Sequence, residues 1–355
     1  MAQRKKQLDY LTILRGILCL GIILYHYQGV SQIFGCDNIF ADIIENGNYS
    51  VDAFFCISGF CVAYNYRDRL INNEYGIFKF VKNNFKKIFL FVLITIPFAI
   101  VKQWLVYKAG LDSKPTIENA LYDLLCIRGV WTVEFPYNSP LWFCNVLMLL
   151  YIIYAFVSFI TKKLGSSKGV YFALITAFLM TGFALLMNPS FSFLCFREVP
   201  GRGMLNFFIG TVVYEMFDKL KDKKYIKVFC LIYVVFFIVI FVSLYEFGKM
   251  GIIGNIRLVY SFLLWPVLVL AFSLIDKRFA VAKPFIILGK VSNSLFIWHH
   301  PILYIIYGMS ILGIINISMD SWVTFIIYVV IVVGIGVVSH LFIEKYVMKL
   351  MNKII

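Results

Sequence analysis

Long apolar runs alternate with short polar connections along the whole chain. Ten stand out, at 8–28, 51–66, 85–107, 139–160, 169–188, 202–217, 226–247, 254–275, 288–313 and 322–345. None shows the period-two alternation and turn-rich flanks of strands, and all have helical length. About 20 apolar residues at ~1.5 Å rise cross a ~30 Å hydrocarbon core, so each run is expected to be a membrane-spanning helix. The second and sixth are short and are expected to be tilted or half-buried among neighbours. Asn138-Ser139-Pro140, Gly165-Ser166-Ser167, Asn188-Pro189 and Lys283-Pro284 punctuate the connections. No repeat, low-complexity tract or soluble segment intervenes, so the chain reads as one transmembrane domain over 1–355.

Composition sharpens this picture. Of 355 residues, 61% are hydrophobic and 15% charged, against roughly 45–50% and ~25% in soluble domains. The net charge of +14 is distributed by topology. The N-terminus, the connections at 67–87, 162–168, 219–227 and 277–290, and the C-terminus hold 24 of the 33 Lys and Arg, including Arg4, Lys5, Lys6, Lys277 and Arg278. The intervening connections hold eight, namely Lys102, Lys108, Lys114, Arg128, Arg197, Arg202, Lys249 and Arg257, and the last is Arg15. The positive-inside rule then places both termini in the cytoplasm. The expected fold is an all-α integral membrane protein, a bundle of about ten transmembrane helices. The excess charge serves orientation and contact with membrane lipids; no basic stripe accompanies a nucleic-acid-binding module, so no nucleic-acid partner is expected. The first run follows a charged start, but Arg15 interrupts it and no small-x-small cleavage site follows, so it reads as a retained signal anchor. Of the eight Cys, Cys36, Cys126 and Cys195 fall in outer connections and the rest in apolar helices. No pattern supports a disulfide or a metal site among them.

The ionisable residues inside the runs are few: Arg15, His26, His299, His300 and, closer to the ends, Glu215 and His340. A charge at that depth costs about 2.5–3.5 kcal/mol on insertion scales, so it should face protein or water. Arg15 and His26 are eleven residues apart, which at ~3.6 residues per turn puts them within roughly 20° of one face and about 16 Å apart along the axis. Imidazole suits proton transfer near neutral pH, and guanidinium suits planar recognition of phosphate. With Arg15 on the cytoplasmic half and His26 on the outer half, the pair suggests a phosphate-bearing donor entering from inside and an acceptor activated outside. The plainer alternative is a satisfied Arg with an interfacial His. No carboxylate sits mid-membrane, which weighs against a coupled transporter.

Other clusters are weaker by themselves. Asp52 either orients His26 or caps the second helix. Ser58-Gly59 is a small pair suited to close helix packing. Trp142, in Pro140-Leu-Trp-Phe143, suits an interfacial aromatic anchor. In Trp298-His299-His300-Pro301, two adjacent imidazoles must find partners inside a span, and Pro301 frees a backbone carbonyl. No HxxxH, CxxC, phosphate loop or GxSxG elbow occurs, so no metal or tightly bound cofactor is expected.

Taken in order, these pieces resemble the acyltransferase-3 family of integral membrane O-acyltransferases. Leu14-Arg15-Gly16 with His26 is similar to its Arg-x10-His signature. Asp52 to Phe60 resembles its D-x-F-F-x-[IL]-S-G-F segment, and Leu141-Trp142-Phe143 its LWF helix start. Arg202 with Asn206-Phe-Phe-Ile-Gly210 resembles R-x-x-x-F-x-x-G. Ser294 to Pro301 is similar to S-[LI]-x-[IL]-[WY]-x-H-x-P, and Ile343-Glu344-Lys345 to a terminal IEK.

The resemblance implies a ten-helix bundle in the inner or plasma membrane. It would move an acyl group, commonly acetyl, from cytoplasmic acyl-CoA to a hydroxyl of a cell-surface or lipid-linked carbohydrate. His26 would be catalytic, as base or acyl relay, with Arg15 at the donor. Asp52, Ser58, Trp142, Arg202, Trp298, His299 and His300 would contact substrates. Cys144-Asn145-Val146 stands where many members carry an acidic VEE pattern. The chain is expected to belong to the short branch without an extracytoplasmic C-terminal domain. It would work beside polysaccharide-assembly partners. The rival class is a transporter or flippase for a lipid-linked or amphipathic saccharide, and a third is a scaffold subunit. A flippase would not consume acyl-CoA, and a scaffold would tolerate loss of Arg15 and His26.

Overall fold

The structure, a computed structural model, describes residues 8–35, 38–251, 255–275 and 282–354. Helix is the only regular secondary structure among them. In chain order the helices are α1 (Asp9–Gln28), α2 (Ile39–Glu45), α3 (Ser50–Ile71), α4 (Ile77–Lys108), α5 (Ile117–Leu124), α6 (Leu141–Lys163) and α7 (Lys168–Met187). They continue as α8 (Glu198–Leu220), α9 (Lys224–Lys249), α10 (Ile256–Val259), α11 (Trp265–Leu274), α12 (Ala282–Ile311), α13 (Trp322–Val338) and α14 (Glu344–Ile354). A π turn, Tyr260–Leu264, joins α10 to α11, and another, Ser339–Ile343, joins α13 to α14. The first has a local cause: Pro266 has no N–H for the carbonyl four residues back, and a widened turn accommodates its ring.

Each of the ten apolar runs falls largely on helix, with position 254 of the eighth outside the described residues. Among the described residues, seven stretches are long and apolar enough to cross a membrane: α1, α4, α6, α7, α9, Ile256–Leu274 and Trp322–Lys353. The sequence predicts ten spans, and the difference lies in α3, α8 and α12. These are equally long but more polar, and they carry Asp52, Arg202 and the His299-His300-Pro301 turn. These residues lower their apolarity, together with Arg67, Asp68 and Arg69 of α3 and Glu215, Asp218 and Lys219 of α8. α4 starts at Ile77 and α12 at Ala282, ahead of the runs at 85 and 288. An apolar run marks bilayer depth, whereas the helix extends through lysines of good helical propensity. The short helices α2 and α5, capped by the side chains of Asn38 and Thr116, are additional to the predicted elements. Cys36 and the Arg4, Lys5, Lys6, Lys277 and Arg278 of the charge count lie outside the described residues. Cys126 and Cys195 are free thiols.

The contacts divide the chain into two compact units. One comprises Met1–Leu18, Asn48–Phe80 and Leu150–Lys290. Here α8 packs on α3 and α7, and α11 packs on α9, α8 and α3. Helix association in lipid gains little from hydrophobic burial, so close van der Waals approach must supply the stability. Gly59 faces the Phe207 carbonyl and Gly210 faces the Cys56 carbonyl, so a methyl at either position would overlap backbone of the opposite helix. Gly16 of α1 and Gly289 of α12 make the same kind of contact. Phe60, Phe207, Phe208, Tyr154, Tyr260 and Trp265 fill this core.

The other unit comprises Cys19–Gly47, Val81–Leu149 and Val291–Ile355. Side-chain-to-backbone hydrogen bonds tie its helices together. Cys19 Sγ donates to the Ser292 carbonyl at 3.3 Å, and Tyr27 Oη donates to the Met319 carbonyl at 2.8 Å. Tyr328 Oη of α13 donates to the His299 carbonyl of α12 at 3.3 Å. These bonds fix the second half of α1 against α12 and α13.

Candidate active site

Three imidazoles converge in the second unit. His26, near the end of α1, packs its ring against His299 and His300 of α12, with centroid distances of 5.1 and 5.3 Å. The rings of His299 and His300 are 6.3 Å apart. Adjacent helical residues point about 100° apart, so His299 and His300 reach His26 from two directions. Both are buried, and His26 is half-buried. Tyr25 stands edge-on to His26 at 5.1 Å. Three residues singled out separately in the sequence therefore form one cluster.

Pro301 lies inside α12, which continues past it, and supplies no N–H to the Ile297 carbonyl one turn back. Asn138 fills the gap, its Nδ2 donating to Ile297 O at 2.9 Å. Asn138 is buried, from the connection before α6. The carbonyl that Pro301 was expected to free thus has a side-chain partner.

Several polar atoms at this turn have no such partner. Trp298 Nε1, His300 Nδ1 and Asn138 Oδ1 are buried without a hydrogen bond. Neither ring nitrogen of His299 makes a bond of normal geometry, although the carbonyls of Leu295 and Phe296 are close enough to act on it. Buried polar groups are normally satisfied, so a cluster of orphans marks a place suited to a polar substrate. Trp298 also stacks edge-on with Phe98 at 4.9 Å and lines an apolar cavity of about 530 Å³ with Pro301 and Gly334. Among the described residues no group of three or more His, Cys, Asp or Glu is arranged to hold a metal ion.

Imidazoles at this spacing suit proton transfer, and the orphaned donors and acceptors suit a hydroxyl-bearing acceptor. A family model described as an acyltransferase domain matches residues 8–341, the stretch that carries Arg15, His26, His299 and His300. The chain belongs to the acyltransferase-3 family. No curated protein and no solved structure matches it. The apolar helices and the family together make it a multi-pass membrane acyltransferase.

The other predicted residues of this acyltransferase-3 protein have contacts of their own. Arg15 is half-buried on α1, and its charge acts on the Cys61 thiol in the first unit. Trp142 is half-buried at the start of α6, beside Phe135 and over Gly129. Asp52 is fully buried in the first turn of α3, while the N-cap is Tyr49. Its carboxylate is bound by the Arg202 guanidinium, with Nη2 to Oδ2 at 3.2 Å, and by Asn206 Nδ2 at 3.4 Å. Arg257 stands 4.0 Å from the same carboxylate and pairs with Glu198 at 3.3 Å. Removing one partner from such a buried pair typically costs about 3–5 kcal/mol, since the other charge is left uncompensated. Ser58 Oγ donates to the Phe54 carbonyl at 2.8 Å, and close packing at this pair falls to Gly59. Glu215 pairs with Arg67, and His340 stands 3.6 Å from Glu344.

Sequence reasoning missed Lys102, counted there as a loop charge although it falls inside the third apolar run. It is buried on α4, and its Nζ lies 5.3 Å from the Tyr304 ring centroid. Tyr304 in turn packs on His300 at 4.5 Å. A cation inside an apolar run is the signal that could have found it.

Proposed function

We propose that this protein is a membrane O-acyltransferase that moves an acyl group, acetyl in the simplest case, from cytoplasmic acyl-CoA to a hydroxyl of a cell-surface or lipid-linked carbohydrate. It would do so in a cell membrane, with ten spans and both termini in the cytoplasm, beside polysaccharide-assembly partners. The packing of His26 against His299 and His300 carries this reading. His26 takes the proton of the acceptor hydroxyl, and the oxygen attacks the thioester carbonyl. The new C–O bond forms, the C–S bond breaks, and CoA leaves as a thiolate that receives the proton from His26. General-base assistance of this kind is worth ~10²–10⁴ in rate. The buried orphan atoms of Trp298, His299 and His300 would bind the acceptor and the developing oxyanion. Arg15 would contact the donor, and Asp52, Ser58, Trp142 and Arg202 would line the substrate path.

The test is transfer of label from [¹⁴C]acetyl-CoA to a lipid-extractable or glycan fraction in membranes containing the wild type or His26→Ala. Label that appears with wild type and is lost with His26→Ala supports the reading. Saccharide translocation without acyl-CoA consumption would overturn it in favour of a flippase.

A further inference from the structure

Thr161 and Ser167 each leave unmade a hydrogen bond that residues of their kind normally make. Inside a helix, Ser and Thr return the hydroxyl to a carbonyl three or four residues back. Ser158 of α6 does so, to the Tyr154 carbonyl at 2.9 Å. Thr161, on the same helix and fully buried, has no partner for Oγ1. Ser167 is the N-cap of α7, in extended backbone suited to capping, yet it makes no capping bond. Asn38, Thr116 and Ser321 do cap their helices. The first N–H groups of α7 thus have no helical carbonyl to bond and no side-chain cap.

Both residues line one cavity of about 290 Å³ in the first unit. The turn between α6 and α7 fixes their placement. The Ser166 N–H bonds the Thr161 carbonyl at 2.9 Å and the Gly165 N–H bonds the Lys162 carbonyl at 3.2 Å, closing α6 with a Schellman motif. The cavity is at the small end of ligand sites, which run from roughly 300 Å³ upward.

Its walls differ in charge. On one side Lys168 is the first residue of α7, with no acidic residue in that turn. A cation and the positive end of the helix dipole therefore coincide, an arrangement that favours an anion. On the other side, Asp68 and Glu215 share one guanidinium, that of Arg67, at 2.8 Å for Asp68. Two carboxylates on one cation leave this wall with a negative excess. The cavity lies at the lysine-bearing connections 67–87 and 162–168, which the proposed topology puts at the level of the cytoplasmic headgroups.

We propose that this cavity binds the zwitterionic headgroup of an aminophospholipid, of the phosphoethanolamine type. The phosphate takes the open N–H groups of α7, the Thr161 and Ser167 hydroxyls and the Lys168 ammonium. The headgroup ammonium sits against Asp68 and Glu215. The site does not depend on the chemistry at His26.

The experiment measures lipid retained by the purified protein, by native mass spectrometry, after equilibration in detergent with dioleoyl phosphatidylethanolamine, phosphatidylcholine or phosphatidic acid. Wild type should retain phosphatidylethanolamine in preference to the other two. Thr161→Val and Lys168→Gln should each weaken that retention by about tenfold, the worth of one hydrogen bond to a charged group. Thr161→Ser keeps the hydroxyl and should retain the lipid, and so should Lys163→Gln, an exposed lysine of the same hairpin that does not line the cavity. Asp68→Asn should shift the preference toward phosphatidic acid. Melting temperatures without added lipid show that each variant is folded. Equal retention of the three lipids by wild type, a wild-type preference for phosphatidic acid, or full retention by folded Thr161→Val would each overturn the proposal. None of these readouts uses acyl-CoA, so they are separate from the test of acyl transfer.

Discussion

Asn138 donates its side-chain amide to the carbonyl of Ile297, at 2.9 Å, four residues before Pro301. The bond replaces the helical one that proline cannot make, in the turn that carries His299 and His300. Asn138→Ala should leave Ile297 O buried and unpaired, costing about 1–3 kcal/mol. Pro301→Ala restores a backbone donor to that carbonyl. The double variant should therefore be more stable than the sum of the single variants predicts. Thermal unfolding of the four proteins in detergent checks this; additive losses would mean the two residues are not coupled.

Gly59 and Gly210 bring α3 and α8 into backbone contact. Gly59→Ala or Gly210→Ala should destabilise by about 1–3 kcal/mol through overpacking. Gly334, with nothing within 4 Å of an added methyl, should accept Ala with little change. The comparison is read from melting temperatures of the three variants. Equal behaviour would remove the argument for small-residue packing at the Ser58-Gly59 pair.

Asp123 on α5 lies outside the membrane-spanning helices. Burial lifts its carboxyl to about 6, against the pull of the Tyr137 N–H and the Arg128 charge. The unfolded chain titrates near ~3.9, so the folded state holds the proton more tightly. Stability from this group is present at pH below about 4 and is lost as pH rises through about 6. Asp123→Asn should flatten the fall in melting temperature between pH 4 and 6 relative to wild type. An unchanged pH dependence would show that another group is responsible.

The helices were legible because bilayer thickness imposes a run of apolar residues wherever a helix crosses it, and all ten runs lie largely on helix. Helix ends were less legible: α4 and α12 continue into lysine-bearing flanks that read as loop. α2 and α5 are too short for a periodic signal, and nothing local announced the π turn Ser339–Ile343. His26, His299 and His300 were each visible as imidazoles inside apolar runs. Their meeting was not, since it depends on how α1 packs on α12, through contacts such as Cys19 with the Ser292 carbonyl. Asp52 was read toward His26 or as a cap; the cap is Tyr49, and the carboxylate is bound by Arg202 and Asn206. A carboxylate's partner is set by helix packing, which one sequence does not specify. Lys102 was missed because it was counted as a topology charge, although its place within the third run argued for a buried cation.

The most direct test of the central claim is release of free CoA by purified protein given acetyl-CoA and a lipid-linked or surface-glycan extract, with wild type and His26→Ala side by side. The account predicts release that requires the extract and falls by about 10²-fold or more in His26→Ala. Release by folded His26→Ala equal to wild type would contradict the assignment of His26 as the base.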